Sequence, residues 1–290
     1  MSRPITYLLF DGVLRHNLLP WLYQQDEAPD ILPLYLGTRW AELSDIGPVL
    51  VQPGPSSQLL ADCQQRAELW TCCSLLTSTQ PSQAIMQHLQ QFITVTDTLG
   101  SHSLLRFADP LVLQYWLASY DQLALGQLLG PIDQWRVAVH QPRWAKTDNV
   151  AWQHFSSPAI RGIEPARPLN HLGEPQIDAL EQAYQQRFYE RLDSWIEGTY
   201  PAFRASRLAV WGDWLEDQLH AAREWGLTSE RSIAIWLTGC IGYGDDLFNA
   251  DTGPYSAWLA ANPAANSSHP DSRIQAFDQA CLSRHQKDLV

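Results

Sequence analysis

Residues 102–117, HSLLRFADPLVLQYWL, change hydrophobic period partway along, and that change constrains the fold more than any other feature. In the first part Leu105 and Phe107 fall on one side of an extended chain, and Leu104, Arg106 and Ala108 on the other, because strand side chains alternate. At Asp109 the period becomes helical. Its carboxylate suits an N-cap, and Pro110 suits the first helical position, where no N–H is needed. Leu111, Gln114, Tyr115 and Ala118 then recur at helical spacing, with Leu113, Trp116 and Leu117 widening the apolar face. A strand running straight into a helix is expected to be the spine of an α/β domain. Arg106 is the one charge in that strand. It must find a carboxylate or carbonyls, because an unpaired buried guanidinium is strongly destabilising. Asp11 and Asp109 are the candidate partners if Arg106 is structural; an anion or substrate clamp is the other reading.

The chain before this segment alternates short apolar runs with helical ones. Residues 7–10 read as a strand closed by Asp11-Gly12, and Leu14, Leu18, Leu19, Leu22 and Tyr23 as a helical stripe interrupted by Pro20. Strands are expected at 31–36, 49–51 and 69–76, the last buried on both faces, with a helix through Leu59, Leu60, Cys63 and Ala67. Pro81 opens a helix, and residues 92–96 should pair with the spine strand as a hairpin. A helix at 121–129 stops at Gly130-Pro131, and 132–139 alternates again. Residues 1–140 therefore read as an α/β (α+β) domain with a mixed sheet, with 132–139 a candidate edge strand open to a partner's strand.

Residues 141–173 hold Pro142, Pro158, Pro165 and Pro168, no sustained period, and a local excess of Arg143, Lys146, Arg161 and Arg167 over Asp148 and Glu164. They read as a linker or extended crossing. Residues 174–290 read as an all-helical C-terminal lobe. One stripe runs from Ile177 to Trp195, a second from Leu208 to Ala222, and a third through Ile233, Trp236, Leu237 and Cys240. A short helix at 254–261 follows, and then a last helix capped by Asp271.

Composition narrows the function. The net charge is −12, and only Lys146 and Lys287 among nineteen basic residues are lysines, with no basic cluster. Nucleic acid and membrane are therefore not expected partners. The odd number of cysteines, Cys63, Cys72, Cys73, Cys240 and Cys281, and the lack of a C-x-x-C pair fit free thiols in a reducing cytoplasm. The apolar run at 5–10 is too brief for a signal-peptide core. Thirteen tryptophans exceed ordinary core needs, and Trp is frequent at interaction hot spots. Trp144, Trp152 and Phe155 in the middle segment and Trp225 near a helix end are the candidate partner-binding residues if exposed. Packing between the two lobes is the alternative.

Catalytic motifs are incomplete. LLFDGVL resembles the phosphatase signature of the haloacid-dehalogenase class, D-x-D-G, in which the first aspartate attacks phosphorus, but Leu9 occupies that place. The remaining reading is an ordinary Asp-Gly turn at a strand end. Asp245, Asn249 and Asp251 lack the glycine of a calcium loop, and Leu247 fills a ligand position. The nine histidines show no metal-ligand spacing. No catalytic residue, cofactor or metal is expected, and Asp11, Arg106 and Asp109 are assigned structural roles.

Several segments taken in order resemble the type VI secretion adaptor, or effector-chaperone, family. They are the strand ending at Asp11-Gly12, LLPWLYQ (18–24), PLYLGTRWAELSDIGPVLV (33–51), the tryptophan and strand at 70–77, LLRFADPLVL (104–113) and LGPIDQW (129–135). GYGDDLF (242–248) adds a looser likeness. The resemblance implies a cytoplasmic, non-catalytic protein with two partners: a secreted effector protein and the spike (VgrG-type) protein onto which the effector is loaded. A degenerate phosphatase-like α/β hydrolase and an immunity-type toxin-binding protein are the alternatives.

Overall fold

Valine-, leucine- and aromatic-rich runs make the sheet. The computed structural model describes residues 3–25, 29–54, 57–145, 150–156 and 168–288, with the side chains of 284–288 set aside. Lys146, Asp148, Pro158, Arg161, Glu164, Pro165 and Arg167 of the middle segment lie outside the described residues. The chain divides into one unit of Met1–Gln141 with Thr147–Arg187, and a second of Pro142–Lys146 with Phe188–Val290.

The first unit runs β1 (Ile5–Asp11), α1 (Leu18–Tyr23), β2 (Asp30–Pro33), a 3-10 turn (Ala41–Ile46), β3 (Pro48–Gln52), α2 (Gln58–Gln65), α3 (Ala67–Trp70) and β4 (Cys73–Ser78). It continues with α4 (Ser82–Gln90), β5 (Thr94–Thr96), β6 (His102–Leu104), α5 (Pro110–Ala118), α6 (Gln122–Leu129), β7 (Gln134–Ala138) and β8 (Trp152–Ser156). It ends in the first part of α7 (Glu174–Thr199). Six strands form one sheet in the order β2-β3-β1-β4-β7-β8, with every pairing antiparallel. The parallel component of the expected mixed sheet is a single bridge, Thr96 to His171, attached to the separate β5–β6 hairpin.

Alternation sends the sheet's side chains into two cores. Tyr7 and Leu9 of β1, Leu50 of β3, Leu76 of β4 and Trp135 of β7 join Ile85, Leu89, Phe92, Leu113 and Trp116 on one face. Leu8 and Phe10, Val49 and Val51, and Cys73 and Leu75 meet Leu18, Leu22, Leu59, Cys63 and Leu69 on the other. A two-sided core explains why the strands read as unbroken apolar runs.

The structure departs from several sequence-based expectations. The run 69–76 splits, because Leu69 and Trp70 close α3 and only Cys73 onward pairs with β1. The spine strand is three residues long: past Thr94↔Leu104 it has no partner strand, and the chain turns at Arg106 with Asp109 N–H donating to its carbonyl. Residues 132–139 are not an edge, because β7 lies between β4 and β8. Among the described residues the edge on that side is β8, within the segment read as a linker, where tertiary pairing with β7 outweighs the polar sequence WQHFS. The first unit also takes the start of α7, up to Arg187.

In the second unit the latter part of α7 is followed by α8 (Pro201–Ser206), α9 (Trp211–Glu224), α10 (Glu230–Tyr243), α11 (Pro254–Ala261) and α12 (Pro270–Asp288). The expected stripe from Leu208 to Ala222 is broken, since Leu208 lies exposed in the turn between α8 and α9. Six of the thirteen tryptophans belong to this core: Trp211, Trp214, Trp236 and Trp258 are buried in it, and Trp144 and Trp225 pack against it. Trp236 stacks on Phe248 at 4.5 Å and Trp211 on Trp214 at 5.1 Å, and Tyr255, Trp258 and Phe277 pack edge-on or stacked beside them. Three of the buried indole N–H groups are satisfied by side chains: Trp211 donates to Asp193 at 2.7 Å, Trp214 to Asp245 at 2.9 Å and Trp236 to Gln218 at 3.1 Å. GYGDDLF is part of this packing, with Leu247 and Phe248 buried against Gly239.

Asp271 caps a different helix from the one expected. It sits in the first turn of α12 but accepts from Thr228 Oγ1 at 2.6 Å, from the Thr228 N–H at 3.2 Å and from the Ser229 N–H at 3.3 Å, at the entrance to α10. Burial pushes its carboxyl up, but these bonds, led by the Thr228 hydroxyl, outweigh it and hold the value at about 2. A depressed carboxylate contributes stability above its ordinary value near 4 and loses it as pH falls toward 2. Asp271→Ala is therefore expected to cost about 1–2 kcal/mol at neutral pH. Urea titrations should show the difference from wild type shrinking between pH 4 and pH 2.

Candidate functional site

The site grows from the end of β1. Asp11 closes that strand and is buried. Its Oδ1 accepts the backbone N–H groups of Val13 at 2.8 Å and Leu14 at 2.9 Å, forming an Asx-type turn. Gly12 follows for reasons of space: a Cβ there would lie 2.6 Å from the Gly47 carbonyl oxygen and 2.8 Å from the Ile46 carbonyl carbon. Gly47 is as tightly placed, 2.6 Å from the Tyr35 ring by the same measure. Main chain thus meets main chain where the β1 turn passes the end of the 3-10 turn.

Arg106 reaches Asp11 across this end of the sheet. Its Nη2 donates to both carboxylate oxygens at 3.0 Å and lies 3.5 Å from Asp109 Oδ2. Its Nε is buried with no partner among the described residues. Asp109 caps α5, as its sequence position predicts, by accepting the Leu111 N–H at 3.0 Å, and its Oδ1 also accepts from Arg187 Nη2 at 2.7 Å. The chain of charges Asp11–Arg106–Asp109–Arg187 is balanced, two carboxylates against two guanidiniums. Burial pushes the Asp11 carboxyl above its ordinary range; the Arg106 charge opposes this, Asp109 adds to it, and the Leu14 N–H opposes it.

A small cavity of about 50 Å³ opens beside this pair. Asp11, Tyr35 and Arg106 line its polar part, and Val13, Leu43, Ile46 and Leu104 its apolar part. Val13, Leu43 and Ile46 are 40%, 38% and 47% exposed, so the apolar wall is also the rim. Tyr35 is buried, and burial with the nearby Asp11 charge pushes its phenol up to about 12, so it stays neutral. The sequence pointed to Asp11, Arg106 and Asp109 but not to the rim or to Arg187. The signal was present in WAELSDIG, since residues three apart eclipse in a 3-10 turn and Leu43 falls beside Ile46.

The four aromatic candidates are not gathered here. Phe155 is buried in the core between sheet and helices and has no face to offer a partner. Trp152 is half-buried against the other face of the sheet. Trp144 is half-buried in the second unit, its Nε1 donating to Glu216 at 3.0 Å and its ring lying against Gly212. Trp225 is half-buried beside Trp236 and Phe248, with Arg273 stacked 4.2 Å from its ring centre. Leu9, in the nucleophile's place of the phosphatase-like motif, is fully buried. Among the described residues no three His, Cys, Asp or Glu side chains gather as a metal site, and no helix is long and apolar enough to cross a membrane. His88, the buried histidine, bonds the Leu128 carbonyl at 2.8 Å.

Removing Arg106 leaves two buried carboxylates facing each other. Arg106→Ala is expected to cost about 3 kcal/mol at neutral pH. It also removes a cause that lowers the Asp11 carboxyl. A group raised in the folded state is destabilising once ionised, so the variant's deficit should shrink as pH falls toward 4. Asp11→Asn in the same background should restore part of the loss at pH 7, read by urea unfolding. Gly12→Ala should separately cost about 1–3 kcal/mol, because its Cβ meets main chain that cannot rotate away.

Residues 6–127 match the model of a family described as a domain of unknown function, DUF4123. No curated protein and no solved structure matches the chain. The match covers less than half of the chain's 290 residues but includes β1 from its second residue, α5 and every residue lining the cavity beside Arg106. The matched family is associated with effector chaperones of type VI secretion.

Proposed function

We propose that this chain is a non-catalytic adaptor that binds a type VI secretion effector in the cytosol and loads it onto the spike protein. The observation that carries this reading is the match of residues 6–127 to a family associated with effector chaperones. The side-chain chemistry is compatible with it. The charged groups at the end of β1 are engaged with one another rather than arranged around an open reaction space. The acidic balance also suits a protein that must stay off nucleic acid while holding a toxic partner.

The role predicts a loss of export. With the gene deleted, the effector encoded beside it should become insoluble or remain in the producing cell, and complementation should restore both solubility and export. Pull-down of tagged protein should recover effector and spike together. An effector exported equally well without this protein would overturn the reading. Protection of cells from the toxin with export unaffected would assign an immunity role instead.

A further inference from the structure

The cavity beside Arg106 is too small for a metabolite. At about 50 Å³ it offers roughly a third of the ~150 Å³ that accommodates a benzene ring. It has room for the branched end of one aliphatic side chain. Its rim is already apolar and partly exposed, at Val13, Leu43 and Ile46. The 3-10 turn that supplies Leu43 and Ile46 also carries Glu42 and Asp45, both exposed and, among the described residues, in no ion pair or hydrogen bond. Since residues three apart eclipse in such a turn, Glu42 and Asp45 form an acidic edge next to the apolar one.

We infer that this socket binds a segment of a partner protein presenting a Val, Leu or Ile side chain next to a Lys or Arg. The aliphatic end fills the cavity between Leu43, Ile46 and Leu104, and the basic neighbour lies along Glu42 and Asp45. Arg106 supplies a third contact. Its Nη2 is held by Asp11, while its Nη1 has no bond to protein among the described residues and can donate to a main-chain carbonyl of the incoming segment. A carbonyl suits this place better than a carboxylate, because the local charges already balance and a further anion would be left uncompensated. A second copy of the chain would bring its own Glu42 and Asp45 against the same acidic edge, and the overall charge of −12 opposes that pairing. The inference rests on the adaptor reading for the nature of the partner, but its test does not.

The test uses the purified full chain and a display library of random 12-residue peptides. Enriched sequences should share an aliphatic residue beside Lys or Arg, and a synthetic peptide of the top sequence should bind more weakly as salt is raised. Replacing its aliphatic residue with Ala, or introducing Leu43→Asp or Ile46→Asp into the protein, should weaken binding at least tenfold. Glu42→Lys with Asp45→Lys should weaken it several-fold, and Leu208→Asp, on the second unit, should leave it unchanged. Leu43→Ala with Ile46→Ala gives the same readout should the aspartate variants melt early. Enriched peptides without the aliphatic–basic pair, or binding indifferent to Leu43 and Ile46, would overturn the inference. So would a dimer in sedimentation that Leu43→Asp dissolves. If peptide binding fails while effector export still depends on the protein, the socket is refuted and the adaptor reading stands.

Discussion

Asp11 is a carboxylate at the buried end of a central strand, and it is tolerable there because Arg106 crosses from a distant part of the chain to meet it. Ninety-five residues separate the two in sequence. The same guanidinium faces Asp109, and Asp109 in turn holds Arg187 on α7. One linked set of charges thus fixes the end of β1, the turn before α5, the start of α5 and the first part of α7. A buried pair of this kind adds little over a well-packed apolar alternative but is costly to break from one side. Its value here is positional: it sets where the β1 turn and the 3-10 turn lie, and so the shape of the cavity between them.

Much of the first unit was legible in sequence because its signals are local. Asp109-Pro110 caps α5, Gly130-Pro131 ends α6, and the β5–β6 hairpin forms where the pattern predicts. What was not legible depends on partners far along the chain. Strand β8 carries Gln153, His154 and Ser156 and becomes a strand because β7 needs an edge neighbour. The spine strand shortens because β5 offers three residues to pair with. Arg106 was identifiable as needing a carboxylate, and its sequence setting favoured a structural pair, with Asp11 or Asp109 as partner, over a clamp. The cavity rim escaped because Val13, Leu43 and Ile46 belong to turns, where a single three-residue repeat such as Leu43–Ile46 is too short for a period to stand out.

Of the tryptophans, which as a composition pointed toward binding surfaces, six are buried: Trp116 and Trp135 in the first unit and Trp211, Trp214, Trp236 and Trp258 in the second. An indole has an N–H that must be satisfied when buried. Asp193 and Asp245 accept two of these bonds, with Gln218 accepting a third. Part of the chain's acidity therefore serves as internal acceptor chemistry. Glu42 and Asp45 are of a different kind, exposed and, among the described residues, in no ion pair or hydrogen bond.

The position of β1 bears on how the protein is made. It precedes both of its neighbours in the chain, yet it lies between β3 and β4, and its residue Ile5 pairs with Ser78. At ribosomal speeds of about 5–20 residues per second, the nascent chain carries this apolar ribbon for several seconds before its second neighbour emerges. Leu8, Leu9 and Phe10 reach their full burial only when that neighbour arrives, so until then the middle of the future sheet is the part of the nascent chain most open to misassociation.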